Sequence, residues 1–299
     1  MSQSIAKKID SGLRLSKIDD LYLLTKFRLS LMVVISSVLA YLIAAGTGGL
    51  SWTIFGLLFI GGFGVTAAAN GINQVLESKF DTMMERTKNR PVAANRMKSS
   101  EAVLYSGLML VIGTLCLSFI NPMVGFLGML SFILYAFLYT PLKRYSTVSV
   151  AVGAIPGAFP VLIGAVAHDG VITILGLRLF MVQFLWQFPH FWAISFLSFD
   201  DYDRAGFKLL PKGKDGKIDK NLGAYSALYS LLIIPTVILA YMAGLDTAVW
   251  ALGGIILCTL VYTWMGIKLQ LEKNRESALK LMFSSFFYLP FVLILYLIG

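Results

Sequence analysis

Only two cysteines and two histidines occur among the 299 residues, and just 14% of the side chains are Asp, Glu, Lys or Arg. Cys116 and Cys258 both lie inside long apolar runs without metal-ligand spacing, which excludes a disulfide framework and assigns both to packing. Acidic residues are scarce, 16 against 25 basic, for a net charge of +9. Such an excess would suit nucleic acid, but the basic residues sit in loops between apolar stretches and form no contiguous basic domain. A secretory leader is also missing: MSQSIAKKIDSGLRLSKIDDLYLLTKFR is polar and of mixed charge, with no short apolar core and small-residue cleavage site. The first apolar run is therefore expected to stay in the mature protein.

What is abundant is apolar. Hydrophobic residues make up 57% of the chain and the mean hydropathy is +0.76, outside the range of a soluble domain. With about 20 residues needed to cross the hydrocarbon core, runs near 27–46, 52–72, 102–120, 123–140, 148–167, 175–197, 222–243, 248–267 and 279–298 predict nine transmembrane helices. The connections TGGLS, INPM, HDGVITILG and GLDTA carry almost no charge, whereas every Lys and Arg except Arg178 falls on the opposite side. This asymmetry predicts a cytoplasmic N-terminus and an outside C-terminus. The expected fold is an all-α integral membrane protein, with a cytoplasmic segment over 1–26 and one polytopic domain over 27–299 whose helices surround a central cavity.

The stretch from Asn70 to Pro91 gathers the polar residues. Asn70, Asn73, Glu77 and Asp81 are spaced three, four and four apart, one stripe on a continuing helix. Amides and carboxylates on one face suit a hard cation such as Mg²⁺, which binds through one or two carboxylates plus substrate phosphates. Arg86, Lys88 and Arg90 follow, so a diphosphate would be held from two sides; an ordinary basic loop at the membrane interface is the alternative. A second acidic group, Asp200, Asp201 and Asp203 beside Arg204, lies in the other long loop, four runs later. This suggests a four-plus-four repeat with a ninth helix appended, two acidic motifs facing each other across the cavity on the cytoplasmic side. A solvated loop is the other reading of 200–203.

The sixth run carries VQFLWQFPHFWAISF, with Gln183, Gln187 and His190 on one helical face. Polar residues at this depth point to function. His190 precedes Asp200 by about 15 Å of helix, which suits a ligand or proton carrier for a bulky substrate; a histidine bonded to a neighbouring helix is the competing reading. In the fifth run, glycines and Pro156 and Pro160 point to close helix contact. Lys143 and Arg144 stand near its start, where topology alone would also place them. His168 and Asp169, in a short loop on the far side, carry no assignment.

NQVLESKFD at 73–81 is similar to the first acidic motif of the intramembrane aromatic prenyltransferases, Asn-Asp-x-x-Asp-x-x-x-Asp, with Gln74 and Glu77 where that pattern has Asp. With MMERTKNRP, YTPLKR, GAIPGAFPVLIG, WQFPHFWA and DDYDRAG, over about 66–211, the chain resembles the haem O synthases (protoheme IX farnesyltransferases) of that superfamily. The resemblance implies a nine-helix, Mg²⁺-dependent enzyme of the cell membrane, its site facing the cytoplasm, that joins farnesyl diphosphate to a vinyl group of haem b with addition of water. It implies metal near Glu77, Asp81 and Asp201, with Asp200 added, and Asn70 and Asn73 orienting them. Arg86, Arg90, Lys143, Arg144 and Arg204 become the diphosphate candidates, His190 and Gln187 the haem candidates. Haem b is then a substrate, since two histidines make a permanent bis-histidine site hard to build; haem A synthase or a terminal oxidase would be assembly partners. Two other classes stay in view: a membrane prenyltransferase acting on a quinone precursor, and a transporter built from repeated helices.

Overall fold

The computed structural model describes residues 15–46, 48–244 and 247–299, and every regular element among them is a helix. In chain order these are α1 (Lys17–Leu24), α2 (Phe27–Ala45), α3 (Trp52–Asp81), α4 (Ser99–Ile120), α5 (Pro122–Leu142), α6 (Ser149–Asp169), α7 (Ile174–Leu197), α8 (Phe199–Arg204), α9 (Leu222–Met242), α10 (Val249–Glu272) and α11 (Arg275–Ile298). Eight of them, all but α1, α7 and α8, are long and apolar enough to cross a membrane, and the chain is a multi-pass membrane protein. The expected sixth crossing is α7. It is 24 residues long and packs against α6, α9, α10 and α11, but Arg178, Gln183, Gln187 and His190 make it less apolar than the rest.

Helix α3 has 30 residues, about 45 Å of helix against roughly 30 Å of hydrocarbon. Its apolar first two-thirds fill the expected run, and the amide and carboxylate stripe continues the same helix to Asp81 instead of breaking into a loop. Helix α6 is the central post, with 72% of its membrane-length stretch buried. Gly164 lets α6 touch α2: a Cβ there would stand 1.9 Å from the Ser37 carbonyl oxygen. Pro160 has no N–H to offer the carbonyl of Pro156, and that carbonyl accepts from Ser131 Oγ on α5 at 3.2 Å.

Two apolar cores share this post. Leu179, Ile233, Ile255 and Leu281 anchor one, joining α6 and α7 to α9–α11. Leu58, Leu117, Leu127 and Phe159 anchor the other, joining α2–α6. Two smaller clusters roof one end of the bundle. Phe188, Trp192, Phe207, Leu209 and Leu222 fix the segment after α8, while Leu24, Val92, Met97 and Ala102 pin α1 and the loop 82–98 to α4. Of the expected cytoplasmic segment, residues 1–14 lie outside the described residues. The remainder includes α1, capped by Ser16 and Asp19 and tied down by Arg96 on Asp20 at 2.9 Å.

Candidate functional site

The end of α3 buries Asn70, Asn73, Glu77 and Asp81, and buried polar groups require partners. Asn70 Nδ2 donates to Ser30 Oγ on α2 at 3.1 Å, and Asn73 Nδ2 to Thr140 Oγ1 on α5 at 3.1 Å. Asn73 Oδ1 accepts from Lys26 Nζ at 3.3 Å. Glu77 is ion-paired with Lys143. Asp81 accepts from one guanidinium nitrogen of Arg90 at both carboxylate oxygens, 2.8 Å each. The loop that carries Arg90 back over the helix is held by Thr87 Oγ1, which donates to the Asp81 carbonyl at 2.9 Å.

Thr140 and Lys143 reach this end because α5 finishes in a π turn over Leu134–Tyr139, in which the Thr140 N–H donates to the Tyr135 carbonyl. Tyr135, Tyr139 and Lys143 thereby share one face. The Tyr139 ring fits only because position 153 is glycine, where a Cβ would stand 2.6 Å from it.

These groups open into a cavity of about 520 Å³, lined by the α1–α2 junction, the end of α3, the loop after it, α5, α7 and the segment 202–209. Its floor is charged by Glu77, Asp81, Arg90 and Lys143 beside the neutral amide of Asn73, and its walls include Tyr135, Tyr139, Phe191, Tyr202 and Phe207. Arg86 bonds the Tyr202 hydroxyl at the rim. Partly buried Lys26 completes the basic set. Burial, with Arg90 and Lys143 close by, holds its amine well below the usual lysine range, while Glu77 and Asp81 pull it back up.

The UbiA prenyltransferase family matches residues 33–288, most of the chain. The chain belongs to this family. Among its relatives, the protoheme IX farnesyltransferase of Cytophaga hutchinsonii is 40% identical over 281 residues, covering 92% of this chain and 95% of the relative. The mitochondrial protoheme IX farnesyltransferase of Homo sapiens is 33% identical, covering 92% of this chain and 60% of that longer protein. A digeranylgeranylglyceryl phosphate synthase structure superposes with a TM-score of 0.77 at 20% identity, covering 95% and 99% of the two chains. A UbiA homologue from Archaeoglobus fulgidus bound to GPP and Mg²⁺ superposes with a TM-score of 0.64 at 11% identity, covering 93% and 99%. At those identities the superpositions show the UbiA fold alone.

Within this UbiA-family cavity the structure brings together Asn73, Glu77, Asp81, Arg86, Arg90, Lys143 and His190. It places the other expected residues elsewhere. Asn70 borders an adjoining pocket of about 90 Å³, which shares Leu29 and Tyr135 with the main cavity. Arg144 lies over the Phe80 ring at 4.2 Å. Arg204 bonds Asp201, and Asp200 is exposed. Gln187 Nε2 donates to the Ala154 carbonyl of α6 at 3.0 Å, and Gln183 Nε2 to that of Gly157 at 2.7 Å. Among the described residues no three acidic, His or Cys side chains converge as a metal cluster. Glu77, Asp81 and the Asn73 carbonyl nonetheless form an all-oxygen set that fits Mg²⁺ completed by phosphate. Glu77 Oε1 is buried against the Lys143 ammonium, so this carboxylate is held charged at the cavity floor.

His190 combines a place on the cavity wall with a bond to a neighbouring helix. Its ring lines the cavity, while Nδ1 bonds Ser285 Oγ of α11 at 2.7 Å. The Ser285 hydroxyl proton is already given to the Met282 carbonyl, so Oγ accepts and Nδ1 carries the proton, leaving the lone pair on Nε2. Trp186 stacks on the ring at 4.9 Å and fixes its plane.

Sequence reasoning missed Tyr22, Lys26 and Arg28, which also line the cavity. The available signal was TKFR, two cations immediately before the first apolar run, which topology alone had accounted for.

Proposed function

We propose that this chain transfers the farnesyl group of farnesyl diphosphate to a vinyl group of haem b, with addition of water, giving haem O for terminal oxidases. The observation that carries this reading is one cavity with a buried Glu77 and Asp81 pair among cations at one end and His190 with aromatic walls at another. Its relatives, named as protoheme IX farnesyltransferases, support haem as the acceptor over a quinone precursor. In the reaction, the allylic C–O bond breaks and the diphosphate leaves with the electron pair. The terminal vinyl carbon then bonds the farnesyl cation, and water adds to the vinyl carbon next to the macrocycle and releases a proton.

Arg86, Arg90, Lys143 and Lys26 grip the diphosphate oxygens and stabilise the charge that builds on them. Glu77 and Asp81 would hold Mg²⁺, which when bound would supply Lewis-acid stabilisation of the same leaving group. Asn73 orients the carboxylates through its bonds to Thr140 and Lys26, and Asn70 fixes α3 against α2. Tyr135, Tyr139, Phe191 and Phe207 shield the cation from bulk water. Helix α8 carries Asp200 and Asp201 immediately before Tyr202, whose hydroxyl bonds Arg86, and these two carboxylates are the second acidic group of the reading, with Arg204 and Arg144 as outer cations. His190 faces haem, and Gln187 sets the α6–α7 contact behind it.

In the membrane, α7 is the sixth of nine crossings, the roofed end with its basic loops faces the cytoplasm, and residues 27–299 act as one domain in the cell membrane. Haem A synthase or a terminal oxidase is the partner that receives the product. The test is haem extracted from cells expressing the chain: a mass gain of one farnesyl group plus one hydroxyl is expected, the vinyl group having become hydroxyethylfarnesyl. Labelled farnesyl diphosphate that marks a quinone precursor and leaves haem unmarked would replace this reading.

A further inference from the structure

Gln74 stands where the superfamily motif has Asp, and its surroundings explain the difference. Its side chain is fully buried and turned away from the cavity, toward the turn between α1 and α2. Nε2 donates to the carbonyls of Leu23 and Leu24, at 2.9 and 2.8 Å. These are end carbonyls of α1, where a helix leaves acceptors unpaired; a carboxylate, having no donor, would repel both. Two residues on, Lys26 takes a left-handed backbone with φ of 46° and extends Nζ to Asn73 Oδ1, one residue from Gln74 on α3. The backbone clamp and the ammonium contact thus close one loop across the cavity wall.

We propose that Gln74 is a positioning residue: by holding the Leu23 and Leu24 carbonyls it aims Lys26 at the Asn73, Glu77 and Asp81 floor, where the Lys26 ammonium binds the prenyl diphosphate. A flexible lysine on an untethered segment would spend its charge in solvent. The clamp converts it into a fixed donor opposite Arg90 and Lys143. This inference rests on the prenyl-transfer reading.

The test uses the full-length protein in nanodiscs and separate saturation curves for farnesyl diphosphate and haem b. Gln74→Met should raise the KM for farnesyl diphosphate about tenfold, the scale of two lost hydrogen bonds, with the haem KM unchanged. Lys26→Met should raise it at least as much, and the double variant should be no worse than Lys26→Met alone. Equal shifts for both substrates, or effects that multiply in the double variant, would overturn the positioning role. If Gln74→Met does not accumulate, affinity of the Lys26→Met protein for a farnesyl thiodiphosphate decides: weakened binding supports the proposal and unchanged binding overturns it. A wild-type protein inactive with both substrates would instead defeat the prenyl-transfer reading itself.

Discussion

Arg90 donates through a single guanidinium nitrogen to both oxygens of Asp81, 2.8 Å from each, while Asp81 itself is completely buried. Arg90 also lines the cavity. A lysine would keep the charge but offer no planar fork. Arg90→Lys is therefore expected to raise the farnesyl diphosphate requirement roughly tenfold, a loss of about 1.4 kcal/mol, with little change for haem. Saturation curves for the two substrates check this, and equal shifts would mean a structural role beside Pro91.

The carboxylates themselves should be less forgiving. Glu77→Gln and Asp81→Asn each remove a negative charge with little change in volume, and turnover should fall by two orders of magnitude or more. The two variants should differ in stability. Asp81→Asn strands Arg90 and Glu77→Gln strands Lys143; unpairing such a group costs about 3–5 kcal/mol when both partners are buried, and Asp81→Asn should cost less because Arg90 is 20% exposed and Lys143 only 9%. A Mg²⁺ titration followed by thermal shift, read without substrate, tests the metal assignment: wild type should gain stability with Mg²⁺ and neither variant should. An identical shift in all three proteins would remove Glu77 and Asp81 from the metal site.

His190→Ala should change the Soret band of added haem b and weaken its binding, while Mg²⁺-dependent binding of a farnesyl thiodiphosphate stays intact. Ser285→Ala should act in the same direction but more weakly, because it removes only the acceptor that keeps the His190 proton on Nδ1. An unchanged spectrum in both, with a lowered Tm, would make the histidine a packing residue.

Two glycines provide a test of packing free of chemistry. A methyl at Gly164 would meet the Ser37 backbone oxygen at 1.9 Å, whereas one at Gly153 would meet the Tyr139 ring at 2.6 Å. Backbone can yield less than a ring. Gly164→Ala should lower Tm in detergent more than Gly153→Ala, each within the roughly 1–3 kcal/mol typical of overpacking. Gly153→Ala should also cost activity, since the ring it displaces lines the cavity.

Hydropathy made the crossings legible because each needs a long apolar run, and the three-four-four spacing made the stripe on α3 legible because it matches helical repeat. Other features depend on contacts that no spacing encodes. Lys26 meets Asn73 across 47 positions. The polarity of α7 was plain in sequence, yet only the fold divides it into Gln183 and Gln187, which bond α6 carbonyls, and His190, which reaches the cavity. Likewise the acids of 200–203 could be counted, but their pairing of Asp201 with Arg204 and Asp203 with Lys212 follows from a local turn and the return of the chain beneath it.

The π turn in α5 gives the site a place where chain length can change by one residue, provided Tyr135 and Tyr139 are kept. Leu134–Tyr139 reads LYAFLY, with nothing in its composition to mark a change of helix type. A π turn takes up one residue more than an α turn, and each residue of helix turns its successors by about 100°. Removing Leu134, Phe137 or Leu138 would let the turn close as an ordinary helix and leave Thr140 and Lys143 pointing toward Asn73 and Glu77. The same deletion in the α-helical part of α5 would swing them by about 100°, so a variant with every site residue present would have lost the site.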